Sequence, residues 1–307
     1  VENGPGQTRL AFCNTRGGIQ EVWHYRNDQP DLLGTVHNAR IEQVFLSQNR
    51  ARARLVDGTT ISLRLEKNED DVVVPGAVLV VTITAAPRHG KAWQAVLGGR
   101  LVSVHLILLP GKTGIFFSKK IDLAARPQLL DFSTDLPLPD NFGVILRSSA
   151  VHLTKEALHA AVFYLVDLWN SGLANSNNIK PGLLHCGGNI KDRALRSVLM
   201  GEILECCPGS LESEMIDAAI VEALCPQVFL RGGGQLWFQR TNALWAIDID
   251  SGDANINLRG FDDLLNKSVI KIAEQIRLRG MSGPIMVDLP SKGATAKRFF
   301  RNLQVQL

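Results

Sequence analysis

The sequence predicts an α+β protein of more than one unit, and three features of its 307 residues carry that reading. Between Gly34 and Leu97 the chain breaks into short β-prone runs at the spacing of a small barrel. A mixed segment of strands and helices follows, without internal repeat or low-complexity tract. Near the C-terminus, two hydrophobic strands that each end in aspartate flank one amphipathic helix. A chain of this length buries at least one full core and divides into two or more units. Its 45% hydrophobic and 21% charged composition is that of an ordinary soluble protein. No apolar run approaches a membrane span and residues 1–20 lack a signal-peptide core. The chain opens with Val1 rather than Met, from a non-standard start codon or from trimming. Five cysteines (Cys13, Cys186, Cys206, Cys207 and Cys225) form no C-x-x-C pair, which argues against a zinc knuckle or thioredoxin-like motif and fits reduced thiols in a cytoplasmic location.

Taken in order, residues 8–13 and 19–26 read as a hairpin closed by Gly17 and Gly18. Strands are expected over 39–45, 50–56, 60–65 and 77–84, separated by the Asp57-Gly58 turn and an acidic loop at Glu69, Asp70 and Asp71. Further strands are expected over 101–109 and 143–147, then a helix over 155–170 with Thr154 as its N-cap. Residues 175–178 form a polar loop, and a helix over 192–206 should stop at Pro208-Gly209.

The strand over 244–250 ends in Asp248 and Asp250, and the strand over 285–289 carries Asp288. Between them Phe261, Leu264, Leu265, Val269, Ile272, Ala273 and Ile276 recur at three- and four-residue spacing, the stripe of a helix lying on a sheet. Such crossovers join parallel neighbours, so Asp248 and Asp288 should meet at one sheet edge, where open α/β sheets hold their sites. Acidic side chains brought together repel unless a cation joins them, and a hard divalent ion such as magnesium suits oxygen ligands. By strand periodicity Asp250 faces the same side as Asp248, which makes it a third candidate catalytic residue, placed to bind the metal directly or through water.

Basic residues cluster three times. Arg50, Arg52 and Arg54 alternate, so a strand points all three to one face. Lys119 and Lys120 form a pair, and Lys292, Lys297, Arg298 and Arg301 crowd the C-terminus. Together with paired carboxylates, these clusters favour a phosphate-bearing partner, although the net charge of +3 by itself identifies none. His24, His37, His89, His105, His152, His159 and His185 show no metal-ligand spacing. Gly232-Gly233-Gly234 lacks the lysine of a phosphate-binding loop and reads as a hairpin turn. Trp237, Phe238 and Trp245 read as core or interface residues.

The stretches T-N-A-L-W-A-I-D-I-D-S-G (241–252), I-A-E-Q-I-R-L-R-G (272–280) and G-P-I-M-V-D (283–288) resemble the catalytic region of bacterial ribonuclease E/G endoribonucleases. L-I-L-L-P (106–110), S-K-K-I (118–121), F-G-V-I-L-R-S-S-A (142–150) and N-I-K-D-R-A-L-R (189–196) follow the same family's order. The resemblance implies an α+β mosaic. Its parts are an RNase H-like subdomain (1–34 and 181–221), an inserted OB-type, S1-like barrel (35–98), a 5′-sensor region (99–180) and a DNase I-like catalytic subdomain (222–307). The family's catalytic subdomain continues through a further helix and strand, so this one is expected to be incomplete at its C-terminus.

Carried over residue by residue, the resemblance implies that Asp248 and Asp288 bind Mg²⁺, which activates water for attack on an RNA phosphodiester. Asp250 stands where the family has asparagine, adding negative charge that favours the metal and repels the phosphate. Arg147 and Ser148 match the pair that recognises a 5′-monophosphate, and a guanidinium fork suits phosphate oxygens. Ser103 replaces a glycine of the sensor strand. Lys91, Lys119, Lys120 and Arg52 are expected to hold single-stranded RNA. Leu55 and Ile61 stand where the family stacks aromatic residues on RNA, which predicts weaker stacking. The implied activity is Mg²⁺-dependent endoribonuclease cleavage in RNA processing or decay, with a preference for 5′-monophosphorylated RNA. The family implies a homodimer, and the missing cysteine-bearing linker argues against zinc-linked tetramers. The alternatives are a non-catalytic RNA-binding protein of the same architecture and a structural subunit of an RNA-processing assembly.

Overall fold

The computed structural model describes residues 1–28, 31–65, 73–87, 90–173, 180–188, 190–198, 204–252, 258–289 and 294–306. The acidic loop at Glu69, Asp70 and Asp71, the polar loop at 175–178, His89, Asn189 and Lys292 lie outside the described residues. The chain packs as two units, residues 1–29 with 204–307, and residues 30–203. The expected pair of segments 1–34 and 181–221 is thus distributed over both units.

β1 (Glu2–Gly4), β2 (Gln7–Cys13) and β3 (Ile19–Arg26) form an antiparallel sheet, with the expected hairpin between β2 and β3. The Asn14 side chain organises its turn, accepting from the backbone N–H of Arg16 at 2.9 Å and of Gly18 at 3.0 Å. Gly17 sits at φ +80°, a conformation that suits glycine.

In the second unit, β4 (Val36–Phe45), β5 (Arg50–Arg54), β6 (Thr60–Arg64), β7 (Val78–Ala85) and β8 (Trp93–Leu97) form a closed five-stranded barrel. Closure comes from β8, which runs parallel to β6 and antiparallel to β7, and from the pairing of β4 with β7. Residues 93–97 are a strand that the sequence reading did not name. Alternation puts Ala51 and Ala53 in the barrel core, packed with Ile41, Leu63, Val81 and Ile83, and turns the intervening arginines outward. Leu55 and Ile61 belong to that core as well. They therefore offer no surface on which RNA could stack, and the expectation that these positions govern stacking is corrected. The outward residues of the same strands are Arg50, Arg52, Arg54, Thr60, Ser62 and Arg64.

β9 (Leu101–Val102), β10 (Leu106–Pro110), β11 (Gly114–Phe117) and β12 (Phe142–Leu146) make a sheet in the order β11-β12-β10-β9, with α1 (Arg126–Phe132) between β11 and β12 in sequence. α2 (Lys155–Ser171) covers this sheet with Leu158, Val162 and Leu165, and Thr154 caps it as expected, accepting from Ala157 N at 3.2 Å. The expected strand over 101–109 is two strands. Ser103 turns the chain between them: its N–H donates to Leu106 O at 2.9 Å, and its hydroxyl to the same oxygen at 3.0 Å. At Gly143 a Cβ would lie 2.2 Å from Lys112 O and 2.7 Å from Gly114 O, both backbone atoms. Gly143→Ala is expected to destabilise this unit by about 3 kcal/mol, the upper range of overpacking, as read by urea denaturation.

β13 (Gly182–His185) adds to β4, and α3 (Ile190–Ser197) follows. His185 is buried and stacks on Trp169 with ring centroids 4.5 Å apart. Its Nδ1 accepts from Gly187 N at 2.8 Å and its Nε2 lies 3.2 Å from Leu168 O, a neutral ring that joins β13 to α2. The helix expected over 192–206 ends at Ser197. Cys206 bridges instead to Glu2 of β1, and its N–H donates to Val1 O at 2.8 Å.

The first unit continues with α4 (Leu211–Leu224), β14 (Gln227–Phe229), β15 (Gln235–Arg240), β16 (Trp245–Asp250), α5 (Leu258–Leu278), β17 (Ile285–Asp288) and α6 (Ala294–Gln306). The sheet order is β14-β15-β16-β17, and β16 pairs β17 in parallel. One face is covered by Leu264, Leu265, Val269, Ile272 and Ala273 of α5 and by Phe299 and Leu303 of α6. Gly232, Gly233 and Gly234 all have positive φ in the β14–β15 turn, as expected of a hairpin.

Candidate active site and nucleic-acid interface

The crossover through α5 brings Asp248 and Asp288 directly beside each other: the two residues are partners in the β16–β17 register. Neighbouring strands lie about 4.8 Å apart, so one hydrated cation spans the gap. Ile247 and Ile249 point into the core, with Ile285 and Val287 packed against it, which turns both aspartates to the opposite, exposed face. Among the described residues neither carboxylate has a hydrogen-bond or ion-pair partner, and no third acidic, histidine or cysteine side chain completes a cage. Two hard oxygen ligands with room for water match the habit of magnesium, which binds through one or two carboxylates and keeps much of its hydration.

Asp250 lies on the same face but is already engaged. Its Oδ2 accepts from Gln235 Nε2 at 2.7 Å and its Oδ1 from Gly252 N at 2.8 Å. These bonds, the one from Gln235 foremost, hold its carboxyl below the usual aspartate range. It anchors the turn after β16 as an acceptor.

Two of the three basic clusters lie in the second unit. β11 and β12 are parallel, with Phe117 opposite Leu146, so Lys119 and Lys120 leave the same sheet edge as Arg147 and Ser148. All four are exposed. Arg147 donates to Ser103 O at 2.6 Å, which fixes its guanidinium over the β9–β10 turn. The Ser103 hydroxyl is spent within that turn and offers no donor to a ligand. On the barrel, Arg50, Arg52 and Arg54 share the outer face, as their alternation predicted. Register adds two arginines that the sequence reading did not name, Arg40 opposite Arg54 and Arg64 opposite Arg50. Arg52 lies over the Phe45 ring at 6.0 Å, and Arg54 pairs with Glu42. Lys91 is exposed just before β8.

Residues 100–210 and 208–298 match the profile of the Ribonuclease E/G family. The chain belongs to that family. It is 28% identical over 261 residues to ribonuclease E of Escherichia coli (strain K12), covering 72% of this chain and 24% of that protein. It is 22% identical over 339 residues to ribonuclease G of Haemophilus influenzae, covering 92% of this chain and 69% of that protein. The chain thus spans about a quarter of the length of the ribonuclease E relative. The ribonuclease E/G match includes Asp248, Asp250, Asp288, Arg147, Ser148, Lys119 and Lys120, whereas Lys91 and Arg52 lie before it. Phe238 is in the core, and Trp245 is half-buried beneath Arg240, whose guanidinium is 5.6 Å from the ring. Trp237, by contrast, is exposed on the face that carries Asp248. The alternation of Leu236, Trp237 and Phe238 held that signal. No helix of the described residues is long and apolar enough to cross a membrane.

Proposed function

We propose that this chain is a magnesium-dependent endoribonuclease of the cytoplasm that cuts single-stranded RNA in processing or decay and prefers a 5′-monophosphate. The observation that carries the reading is the register of Asp248 and Asp288 on adjacent parallel strands, within the segment matched to the Ribonuclease E/G family. Asp248 and Asp288 would hold the ion, and Asp250 would orient the turn beside it. A magnesium ion there supplies Lewis-acid stabilisation of charge developing on the phosphoryl oxygens. The outward arginines of the barrel, with Lys91, Lys119 and Lys120, attract the RNA backbone without reading sequence, an affinity that falls steeply with salt. Arg147 and Ser148 are the groups suited to a terminal phosphate, whose oxygens match a guanidinium fork. In this reading the closed barrel is an S1-like OB module, the region around β9–β12 is the 5′ sensor, and residues 222–307 are a DNase I-like catalytic subdomain.

The test is cleavage of end-labelled single-stranded RNA in Mg²⁺, with 5′-monophosphate and 5′-hydroxyl substrates compared. The wild type is expected to cut both and to favour the monophosphate. Arg147→Gln is expected to reduce that preference by about tenfold, the worth of a charge-assisted hydrogen bond. RNA binding without Mg²⁺-dependent cutting would instead support a non-catalytic RNA-binding protein.

A further inference from the structure

The open face of the β14–β17 sheet carries more than the acidic pair. Register aligns one residue from each strand in a row across it: Gln227, Trp237, Asp248 and Asp288. Trp237 is therefore one strand from Asp248 and two strands from Asp288, about 5 and 10 Å at ordinary strand spacing. Its neighbours in β15, Leu236 and Phe238, point into the core, so the indole stands on the carboxylate face, where it is 41% exposed. Among the described residues no other ring and no cation packs against it. The polar side chains around it are partly committed. Gln227 donates to Gln235, and Gln235 in turn donates to Asp250. An indole exposed beside two carboxylates gains nothing from the fold for its exposed area, and the carboxylates leave it no salt bridge to shield.

We propose that Trp237 is a stacking platform for the nucleobase next to the phosphate that lies at Asp248 and Asp288. The proposal rests on the ribonuclease reading and deepens it by naming how the RNA is seated at the cut. A nucleotide is longer than the separation between Trp237 and Asp248, so a phosphate at the acidic pair carries its neighbouring base over the indole. Stacking of this kind accepts every base, because each has a π-face. Trp237 thus acts on positioning and affinity rather than on sequence choice. The barrel, whose outer face presents arginines, leaves this contact to the catalytic sheet.

The full chain is titrated with single-stranded RNAs in which one abasic residue is moved stepwise along the strand, through the cleaved bond where cutting maps one. Ca²⁺ replaces Mg²⁺ so that the carboxylates keep a hard cation, and gels verify that the RNA stays intact. One abasic position beside the cut is expected to weaken wild-type binding by roughly 5- to 150-fold. Trp237→Leu is expected to weaken binding of intact RNA by a similar factor and to make the abasic residue cost nothing further. Trp237→Phe should recover most of the loss, with circular dichroism of both variants matching wild type. Equal affinity of wild type and Trp237→Leu overturns the proposal, as does an abasic penalty that persists in Trp237→Leu. So does a change of mass in sedimentation with RNA affinity unchanged, which would assign the indole to contact with a second copy. If the wild type never cuts RNA in Mg²⁺ yet the paired losses appear, the hydrolase reading fails and the stacking platform stands.

Discussion

Asp248→Asn and Asp288→Asn are each expected to lower the rate of Mg²⁺-dependent RNA cleavage by at least about a hundredfold, the scale of losing one electrostatic stabiliser of a transition state. Asparagine keeps the shape and one acceptor but removes the charge that a divalent ion requires. Both aspartates are exposed and carry no packing, while the core beneath them is built by Ile247, Ile249, Ile285 and Val287. The variants should therefore fold as wild type does, and urea denaturation of each serves as the control. Asp250→Asn should do less, because asparagine can still accept from Gly252 N and loses only the hydrogen bond from Gln235. Cleavage that persists undiminished in Asp248→Asn, with Mg²⁺ required, would remove the acidic pair from the chemistry.

The largest effect on stability is expected elsewhere in the same unit. Arg9 and Glu2 are partners in the β1–β2 register, with relative exposures of 8% and 2%. Arg9 grips both carboxylate oxygens of Glu2, at 2.8 and 2.7 Å, and also reaches Asp217 and Ser213 of α4. Removing Arg9 leaves the Glu2 charge buried and unpaired, a loss of about 3–5 kcal/mol, whereas removing the Glu2 charge leaves Arg9 still paired with Asp217 and costs less. Arg9→Met should show the full loss in urea denaturation and Glu2→Gln a smaller one, whereas the double replacement by leucines should recover much of it. The hydrogen bonds from Arg9 hold the Glu2 carboxyl below its ordinary value of 4.5. A lowered carboxylate pKa adds stability above the unfolded value, and that stability is lost as pH falls through the lowered folded value. The Glu2 contribution should therefore be complete at neutral pH and decline only below pH 4.5. In Glu2→Gln that acid-dependent part of the stability curve should flatten.

The parts of the fold that could be read from the sequence were those whose period is local. Arg50, Arg52 and Arg54 alternate with Ala51 and Ala53, so both the strand and its outward face were visible. The stripe of α5 and the two strands beside it made the acidic pair visible in the same way. What escaped depends on partners distant in sequence or on a missing stripe. Arg40 and Arg64 join the basic face only through cross-strand register. Residues 93–97 look unremarkable until β6 and β7 receive them on either side. α4 went unnamed because apolar residues surround it, although Ser210 and the acidic first turn, Glu212 and Glu214, marked its start. Leu55 and Ile61 show the same limit. A substitution against the family pattern suggested lost stacking, but only the barrel reveals that both side chains face inward.

The pairing of Asp248 with Asp288 is set by a two-residue period, so sliding β17 by one position against β16 would send Asp288 inward and Val287 out to water. The grip of Val287 and Ile285 on the helices beneath is thus what meters the gap between the carboxylates. A cation bound there would in turn penalise any slippage, so occupancy of the acidic pair and tightness of the hydrophobic layer below it should rise and fall together.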